Sequence, residues 1–306
     1  MRDGSAPRGA GWRRREARLA RLLSLPAIAM LALTAIVPMA WTAWESLHLH
    51  DLRMPWLGRP FVGFANYIEA FHDRRFLEAS MHTVGFAAVS VTLETLGGLT
   101  LALGLYRLGR GARGIRTAVL LPWAVPTVVS ALVWRFVFDS PDGLATRLAA
   151  GLGLAAPVWL SDPTAAWVPI VVADVWKTTP FVALLLLAGL QQIDPALYEA
   201  AALDGASAWR QFRSVTLPLL APTLAIAVLF RLLDAFRLFD GVYVLTNGGP
   251  GTATEPVALY AFTTLLQRLR FGYGSTLSVI VFVVSLGTAL GAMWLLMRDT
   301  PAERER

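Results

Sequence analysis

The chain has 306 residues, of which 56% are hydrophobic and 16% are charged, and its mean hydropathy is +0.54. A single soluble core of this length does not need so much apolar surface, so the composition predicts a membrane protein. A large soluble helical bundle would need a polar stripe on each helix, and the windows 182–190 and 277–286 show none. The absence of cysteine excludes disulfides, thiolate metal sites and cysteine nucleophiles.

Six apolar stretches are suited to cross the roughly 30 Å of hydrocarbon in a bilayer as α-helices. The predicted spans are 22–46, 78–106, 115–138, 164–190, 220–246 and 273–297. The first could be a cleaved signal peptide, but its apolar run is too long for one and indicates an uncleaved anchor. Prolines are expected to kink spans 1 and 3, and Gly97 and Gly98 are expected to allow close helix packing in span 2. The predicted fold class is an all-α membrane protein with six transmembrane helices.

Arginine is distributed unequally between the segments that join these spans. With the N-terminus inside, the cytoplasmic segments carry sixteen arginines and the opposite side carries seven. This bias predicts that both termini are cytoplasmic, which requires an even number of spans. The net charge of +6 is then explained by topology, and nucleic-acid binding is not needed to account for it. The basic tail at 1–21 is interpreted as a lipid-facing anchor.

The segment 191–222, between spans 4 and 5, is too long and too structured for a simple connector. Asp194 followed by Pro195 is typical of a helix start, and Gly205 is typical of the residue just past a helix end. These residues predict a short cytoplasmic helix at 195–204. Its small alanines favour docking of another protein. A helix lying on lipid would prefer Lys or Arg on its polar face, whereas this one is acidic.

This segment resembles the EAA motif of ABC importer permeases, a cytoplasmic loop that inserts into a groove of the ATP-binding subunit. The resemblance is carried by Glu199-Ala200-Ala201, Asp204-Gly205-Ala206 and Leu217-Pro218. The runs 176–181, 189–191 and 245–250 are similar to the carbohydrate-uptake branch of that family, the maltose- and trehalose-type permeases. The resemblance covers 78–297 and implies the type I importer fold, with the span 22–46 as an added helix and 298–306 as a cytoplasmic tail.

The resemblance also implies partners and a location. It implies a homologous second permease, two ATP-binding subunits, an extracytoplasmic solute-binding protein and a sugar substrate, in the cytoplasmic membrane of a prokaryote. The external segments near 47–77, 139–163 and 247–271 are expected to receive the solute-binding protein. The residues expected to couple to the ATPase are Glu199, Ala200, Ala201, Asp204 and Gly205.

The chain is not expected to be an enzyme or to hold a cofactor or metal, because no phosphate-binding loop is found. Lys177 is followed by Thr178, but Trp176 and Val171 stand where that loop needs glycine. ATP and magnesium are therefore expected on a separate ATPase. The alternative is a self-sufficient carrier or channel, which would need membrane carboxylates as a proton relay. Glu94 and Asp174 are candidates, although a helix end or a paired polar site is the preferred interpretation of each.

Span 5 carries four charged residues of alternating sign at every third position, Arg231, Asp234, Arg237 and Asp240. Neighbours in this series can pair along one helix, and the set sweeps across half of the helix surface. Some are therefore expected to face the pore or the partner permease. The alternative is an internal ion-pair ladder. Phenylalanines among them offer aromatic faces of the kind that a sugar ring requires.

In the maltose-type permeases the substrate is contacted from the spans on either side of the EAA loop. The resemblance places those positions at Lys177, Thr178, Phe181, Arg231, Ala235 and Leu238, and Asp234 and Arg237 complete the candidate substrate pathway. Charged and apolar residues stand where the maltose permease has small polar ones, which favours a different glycan or a contribution from the other subunit. Lys177 has the alternative role of a capping or snorkelling lysine.

Overall fold

The computed structural model describes residues 19–20, 23–108, 113–153 and 157–298, without the side chains at 113 and 295–298. The predicted tails at 1–21 and 298–306 lie outside the described residues, apart from 19–20 and the backbone of 298. The described part of the chain is helical, with two isolated β-bridges and no strand. Its helices of six or more residues are α1 (Leu23–Glu45), α2 (Ala65–His72), α3 (Arg74–Arg107), α4 (Arg113–Ala124), α5 (Thr127–Phe138), α6 (Leu144–Gly151), α7 (Trp167–Leu190), α8 (Pro195–Leu203), α9 (Ala208–Ala235), α10 (Asp240–Leu245), α11 (Val257–Gln267) and α12 (Phe271–Arg298).

Five of these helices are long and apolar enough to cross a membrane, namely α1, α3, α7, α9 and α12. The bent pair α4–α5 makes a sixth if it crosses as one broken span. Helices suit this environment because they satisfy their own backbone hydrogen bonds where no water is available. The predictions of an all-α membrane fold and of spans 1, 2, 4 and 6 are confirmed to within a few residues.

The prediction of one helix at 115–138 is wrong, because α4 and α5 meet at an angle of 89°. Pro126 lies at the break and has an extended backbone, with φ −55° and ψ 138°. Proline lacks the N–H that would continue the helix, and it disfavours helical backbone in the residue before it. The expected kink is therefore a full break, and Pro122 remains inside α4.

The predicted limits of span 5, 220–246, are also wrong at both ends. The helix α9 already begins at Ala208, inside the segment predicted as a cytoplasmic loop, and it stops at Ala235. The next four residues, 236–239, are not helical, and Leu238 and Phe239 among them pack against the central core. The new helix α10 begins at Asp240, where a carboxylate is favoured by the positive end of the helix dipole.

The pair α3 and α7 forms the centre of the fold, and α9 packs against both. Two adjacent glycines of α3 allow α7 to approach closely, which confirms the prediction of close packing there. Gly97 faces the side chain of Thr179, and Gly98 faces Val182 and Ala183 of α7. The central core lies beside this contact and includes buried Phe86, Val91, Ile170, Val242, Leu245 and Leu259.

The helix α12 packs against α1, α2 and α11 at the end of the molecule where α3 begins. Asp73 caps α3 there and accepts hydrogen bonds from the hydroxyls of Tyr260 at 2.5 Å and Tyr273 at 2.7 Å. Burial acts to raise the pKa of Asp73, but these hydroxyls and the backbone N–H of Arg75 hold it below its usual value. The segment 247–271, expected as an external loop, contains the helix α11, which packs against α12.

Candidate functional site

A cavity of about 580 Å³ opens between α3, α4, α5, α7, α9 and α10. All eight candidate pathway residues line it, although they come from two helices and from the break after α9. They are Lys177, Thr178, Phe181, Arg231, Asp234, Ala235, Arg237 and Leu238. The break of span 3 contributes to the wall as well, since Trp123 and Thr127 stand on either side of it.

A buried ion-pair network forms the polar side of this cavity. Arg231 of α9 has a side chain only 3% exposed, and it meets carboxylates from three helices. Its Nε and Nη2 donate to Glu94 of α3, Nη2 also donates to Asp174 of α7 at 3.0 Å, and Nη1 donates to Asp234 at 2.5 Å. A buried guanidinium needs such partners because an unpaired charge in a membrane interior is costly.

Two hydroxyl groups complete the network. The hydroxyl oxygen of Ser90 lies 2.7 Å from a carboxylate oxygen of Glu94 and 2.8 Å from one of Asp174, and its single proton can be donated to either. The hydroxyl oxygen of Thr178 lies 2.7 Å from Glu94 and 2.7 Å from the carbonyl oxygen of Asp174 in its own helix, and its single proton can be donated to either. Glu94 is fully buried and does not line the cavity, yet it touches two residues that do.

The sequence pattern identified one step of this network correctly. Arg231 and Asp234 pair along one helix as the spacing predicts. The continuation of the ladder to Arg237 and Asp240 is wrong, because the helix ends at Ala235 and no ion pair joins those residues in the described part of the chain. The main partners of Arg231 come from other helices. The preferred interpretation of Glu94 and Asp174 as paired polar groups is confirmed.

Aromatic rings also line the cavity. Trp123 and Phe181 stack with their ring centroids 5.5 Å apart, and Phe230 meets Phe181 edge-on at 6.5 Å. Phe86 and Phe239 of the central core line the cavity too. The cavity therefore combines aromatic faces with charged and hydroxyl groups. These groups are complementary to a sugar, which has apolar C–H faces and polar hydroxyl groups.

Lys177 occupies the middle of α7 and points toward the break between α4 and α5. Its Nζ lies 3.4 Å from the backbone carbonyl oxygen of Trp123, close to the end of α4. A helix end leaves such carbonyls without intrahelical partners. The capping role left open by the sequence is therefore the geometry observed, and the same side chain also lines the cavity.

The second group of candidate residues lies on α8. The side chain of Asp194 accepts a hydrogen bond from the backbone N–H of Ala196 at 2.9 Å, with Pro195 at the first helical position. At the other end Gly205 has φ +73°. The N–H groups of Gly205 and Ala206 donate to the carbonyls of Ala202 and Ala201, a common helix-ending motif. The predicted short helix is confirmed.

The surface of α8 is open. Glu199, Ala200, Asp204 and Gly205 are exposed, and Ala201 is half-buried. Tyr198 attaches the helix to the rest of the molecule, because its hydroxyl lies 3.1 Å from that of Thr216 near the start of α9. The coupling candidates thus share one exposed element that is linked to a helix lining the cavity.

The sequence did not identify Ser90 and Trp123, and it did not identify the common partner of Glu94 and Asp174. Arg231 is 137 residues from Glu94 and 57 residues from Asp174. Carboxylates and an arginine in predicted spans signal that partners exist, but their pairing depends on how three helices pack.

Comparison with known proteins gives one family match. Residues 95–296 match the family described as "Binding-protein-dependent transport system inner membrane component". The chain is 46% identical over 245 residues to the trehalose/maltose transport system permease protein MalF of Thermococcus litoralis, covering 80% of this chain and 82% of the relative. It is 39% identical over 246 residues to the trehalose transport system permease protein SugA of Mycobacterium tuberculosis, covering 79% of this chain and 76% of the relative.

A solved structure shares the fold. It is a chain of a bacterial ABC transporter involved in import of the acidic polysaccharide alginate, with a TM-score of 0.80 and 24% sequence identity. The match covers 94% of this chain and 99% of that chain. At this level of identity the likeness concerns the arrangement of the helices.

Proposed function

The chain belongs to the family of binding-protein-dependent transport system inner membrane components, and on this basis we propose that it forms part of the translocation pathway of an ATP-driven sugar importer. The observation that carries the proposal is the cavity between α3, α7 and α9, which joins a buried charged network to an aromatic wall. The chain itself serves as a permease and not as an enzyme.

The proposed substrate is a neutral sugar of disaccharide size. Relatives named for trehalose and maltose transport support this class. The chemistry of the cavity supports it as well, since its lining carries charges of both signs, on Asp174, Asp234 and Asp240 and on Lys177, Arg231 and Arg237. Such a wall suits a neutral sugar, whose hydroxyl groups can donate to carboxylates and accept from basic side chains.

The helix α8 is proposed as the coupling element. Its exposed residues Glu199 and Gly205 are available to a cytoplasmic partner, and its connection through Thr216 to α9 offers a mechanical link to Arg231. Closure of two ATP-binding subunits, which would hold the ATP and magnesium, would move α8 and thereby the wall of the cavity.

The proposed assembly contains this chain, a homologous second permease, the two ATP-binding subunits and an extracytoplasmic solute-binding protein. It would lie in the cytoplasmic membrane of a prokaryotic cell with both termini inside, surrounded by lipid. No nucleic acid is part of the proposal.

Affinity purification from detergent-solubilised native membranes tests this function. Wild-type chain is compared with a Glu199→Lys, Gly205→Trp double variant, and with Glu78→Lys near the start of α3 as a charge-reversal control. We expect an ATPase and a second permease to co-purify with wild type and with the control, and the ATPase alone to be lost from the double variant. A bulky side chain at position 205 strains the positive φ, and the Glu199→Lys substitution reverses an exposed charge.

Uptake in reconstituted vesicles completes the test. Wild-type complex is expected to accumulate trehalose or maltose only when ATP and the solute-binding protein are supplied, and the double variant is expected to lose this uptake. A chain that purifies alone and transports without an ATPase would instead be a self-sufficient carrier or channel.

A further inference from the structure

The buried network around Arg231 contains two layers of side chains at different depths. Glu94 is 0% exposed and lies behind the cavity wall, whereas Asp174 and Asp234 line the cavity with side chains 21% and 69% exposed. Arg231 stands between the layers and bonds to all three carboxylates. The network therefore has an inner anchor and an outer, accessible face.

Arg231 is poorly placed to bind a solute itself. A guanidinium has five N–H donors, and here Nε, Nη1 and both N–H groups of Nη2 are directed at carboxylates. With 3% of its side chain exposed, it offers little surface to the cavity. The groups that the network presents outward are the carboxylates of Asp174 and Asp234.

Fixed carboxylates are strong acceptors for hydroxyl groups. A hydrogen bond to an ionised group is shorter and roughly twice as strong as a neutral one. A carboxylate that is already held by a guanidinium keeps its orientation, so binding a hydroxyl requires little rearrangement. A sugar is rich in hydroxyl donors, and the stacked rings of Trp123 and Phe181 in the same cavity offer faces suited to its apolar surface.

We infer that Asp174 and Asp234 accept hydrogen bonds from the hydroxyl groups of the sugar, and that Glu94 and Arg231 are positioning residues that hold these carboxylates at the cavity wall. The inference rests on the proposed function, because it concerns how the same cavity recognises its solute. It assigns a role in solute recognition to Glu94 and Asp174, which the sequence analysis interpreted only as relay groups, helix-end groups or paired groups. It also assigns Arg231 a supporting role in place of direct contact with the solute.

The experiment uses the complete transporter in proteoliposomes with internal ATP and saturating solute-binding protein. Uptake of trehalose and of each of its monodeoxy analogues is measured for wild type, Asp174→Asn, Asp234→Asn, Glu94→Gln and Glu94→Asp. Glu78→Gln on the same helix as Glu94 is the matched control, since Glu78 pairs only with exposed Arg74 in the described part of the chain. The uptake rate of each variant is divided by the wild-type rate for the same sugar, so the preference of the solute-binding protein cancels.

We expect Asp234→Asn and Asp174→Asn to lower trehalose uptake by about tenfold, because a strong hydrogen bond to a carboxylate is replaced by a weaker one to a neutral amide. The analogue that lacks the bonded hydroxyl has already lost that bond, so the same substitution leaves its uptake nearly unchanged. Glu94→Gln is expected to give the same selective pattern, Glu94→Asp to recover part of the trehalose uptake, and Glu78→Gln to behave as wild type.

A network that only joins three helices would respond differently. Trehalose and every analogue would then fall by one common factor, and this result, or normal uptake in both aspartate variants, overturns the inference. Asp234→Asn is isosteric and exposed, so it tests the inference even if a buried Glu94 variant fails to assemble. Failure of the proposed function is recognised separately, because wild-type complex would then transport none of these sugars.

Discussion

Gly98 permits the closest contact in the centre of the molecule. A Cβ atom at this position would lie 2.6 Å from Cγ1 of Val182 and 3.1 Å from the backbone nitrogen of Ala183. Both distances are too short for an unstrained contact, so α3 would have to move relative to α7. Because Glu94 and Asp174 lie on these same two helices, a glycine that has no direct contact with the cavity helps to set its geometry.

Gly98→Val is therefore expected to lower the free energy of unfolding by about 1–3 kcal/mol, the usual cost of overpacking. Gly104→Val is the matched control, because Gly104 is on the same helix and a Cβ there meets nothing within 4 Å. Thermal melting of the purified protein in detergent measures the difference. Equal melting temperatures for the two variants would show that the helices separate without cost.

The break between α4 and α5 shapes one part of the cavity wall. The two halves of this span turn by 89°, which places Trp123 at the end of one half and Thr127 at the start of the other, both on the cavity wall. Lys177 then reaches the carbonyl of Trp123. A straight helix would place these residues along one axis, and the wall would lose part of its aromatic side.

Pro126→Ala is expected to extend α4 and to reduce sugar uptake several-fold while the complex still assembles, because the missing N–H is restored. Pro38→Ala is a suitable control, since Pro38 lies on the exposed side of α1. Uptake by reconstituted transporter, with assembly checked by size-exclusion chromatography, gives the answer. Unchanged uptake in the Pro126 variant would mean that the cavity does not depend on the break.

The arginine bias predicts the orientation of the protein in the membrane, and this prediction can be tested directly. The chain contains no cysteine, so single cysteines can be introduced without removing any. Asp142 and Leu203 are suitable positions, with exposures of 89% and 90%, and the continuous span α7 separates them in the chain.

A membrane-impermeant maleimide is expected to label Asp142→Cys in intact cells and to label Leu203→Cys only after the membrane is permeabilised. The cysteine-free parent chain controls for background labelling. Labelling of Leu203→Cys in intact cells would place α8 outside and would contradict both the predicted topology and the proposed coupling role.

Features that depend on near neighbours in the chain could be predicted from the sequence. Runs of apolar residues of sufficient length identified the membrane class and four of the six predicted spans. This is possible because a helix in lipid forms all of its backbone hydrogen bonds within its own segment. Asp194, Pro195 and Gly205 identified the limits of α8 for the same reason, since their hydrogen bonds are formed within a few residues. Resemblance to a family also selected a set of residues that all line the cavity.

How those residues are used depends on tertiary packing. The spacing of charges left an ion-pair ladder within span 5 as an alternative, but Arg231 pairs with Glu94 and Asp174, which are far away in sequence and near in space. The break after Ala235 and the size of the bend at Pro126 likewise depend on packing with neighbouring helices. The physical reason is that a buried charge seeks the partners that surround it in three dimensions, and no local pattern specifies which helices will supply them.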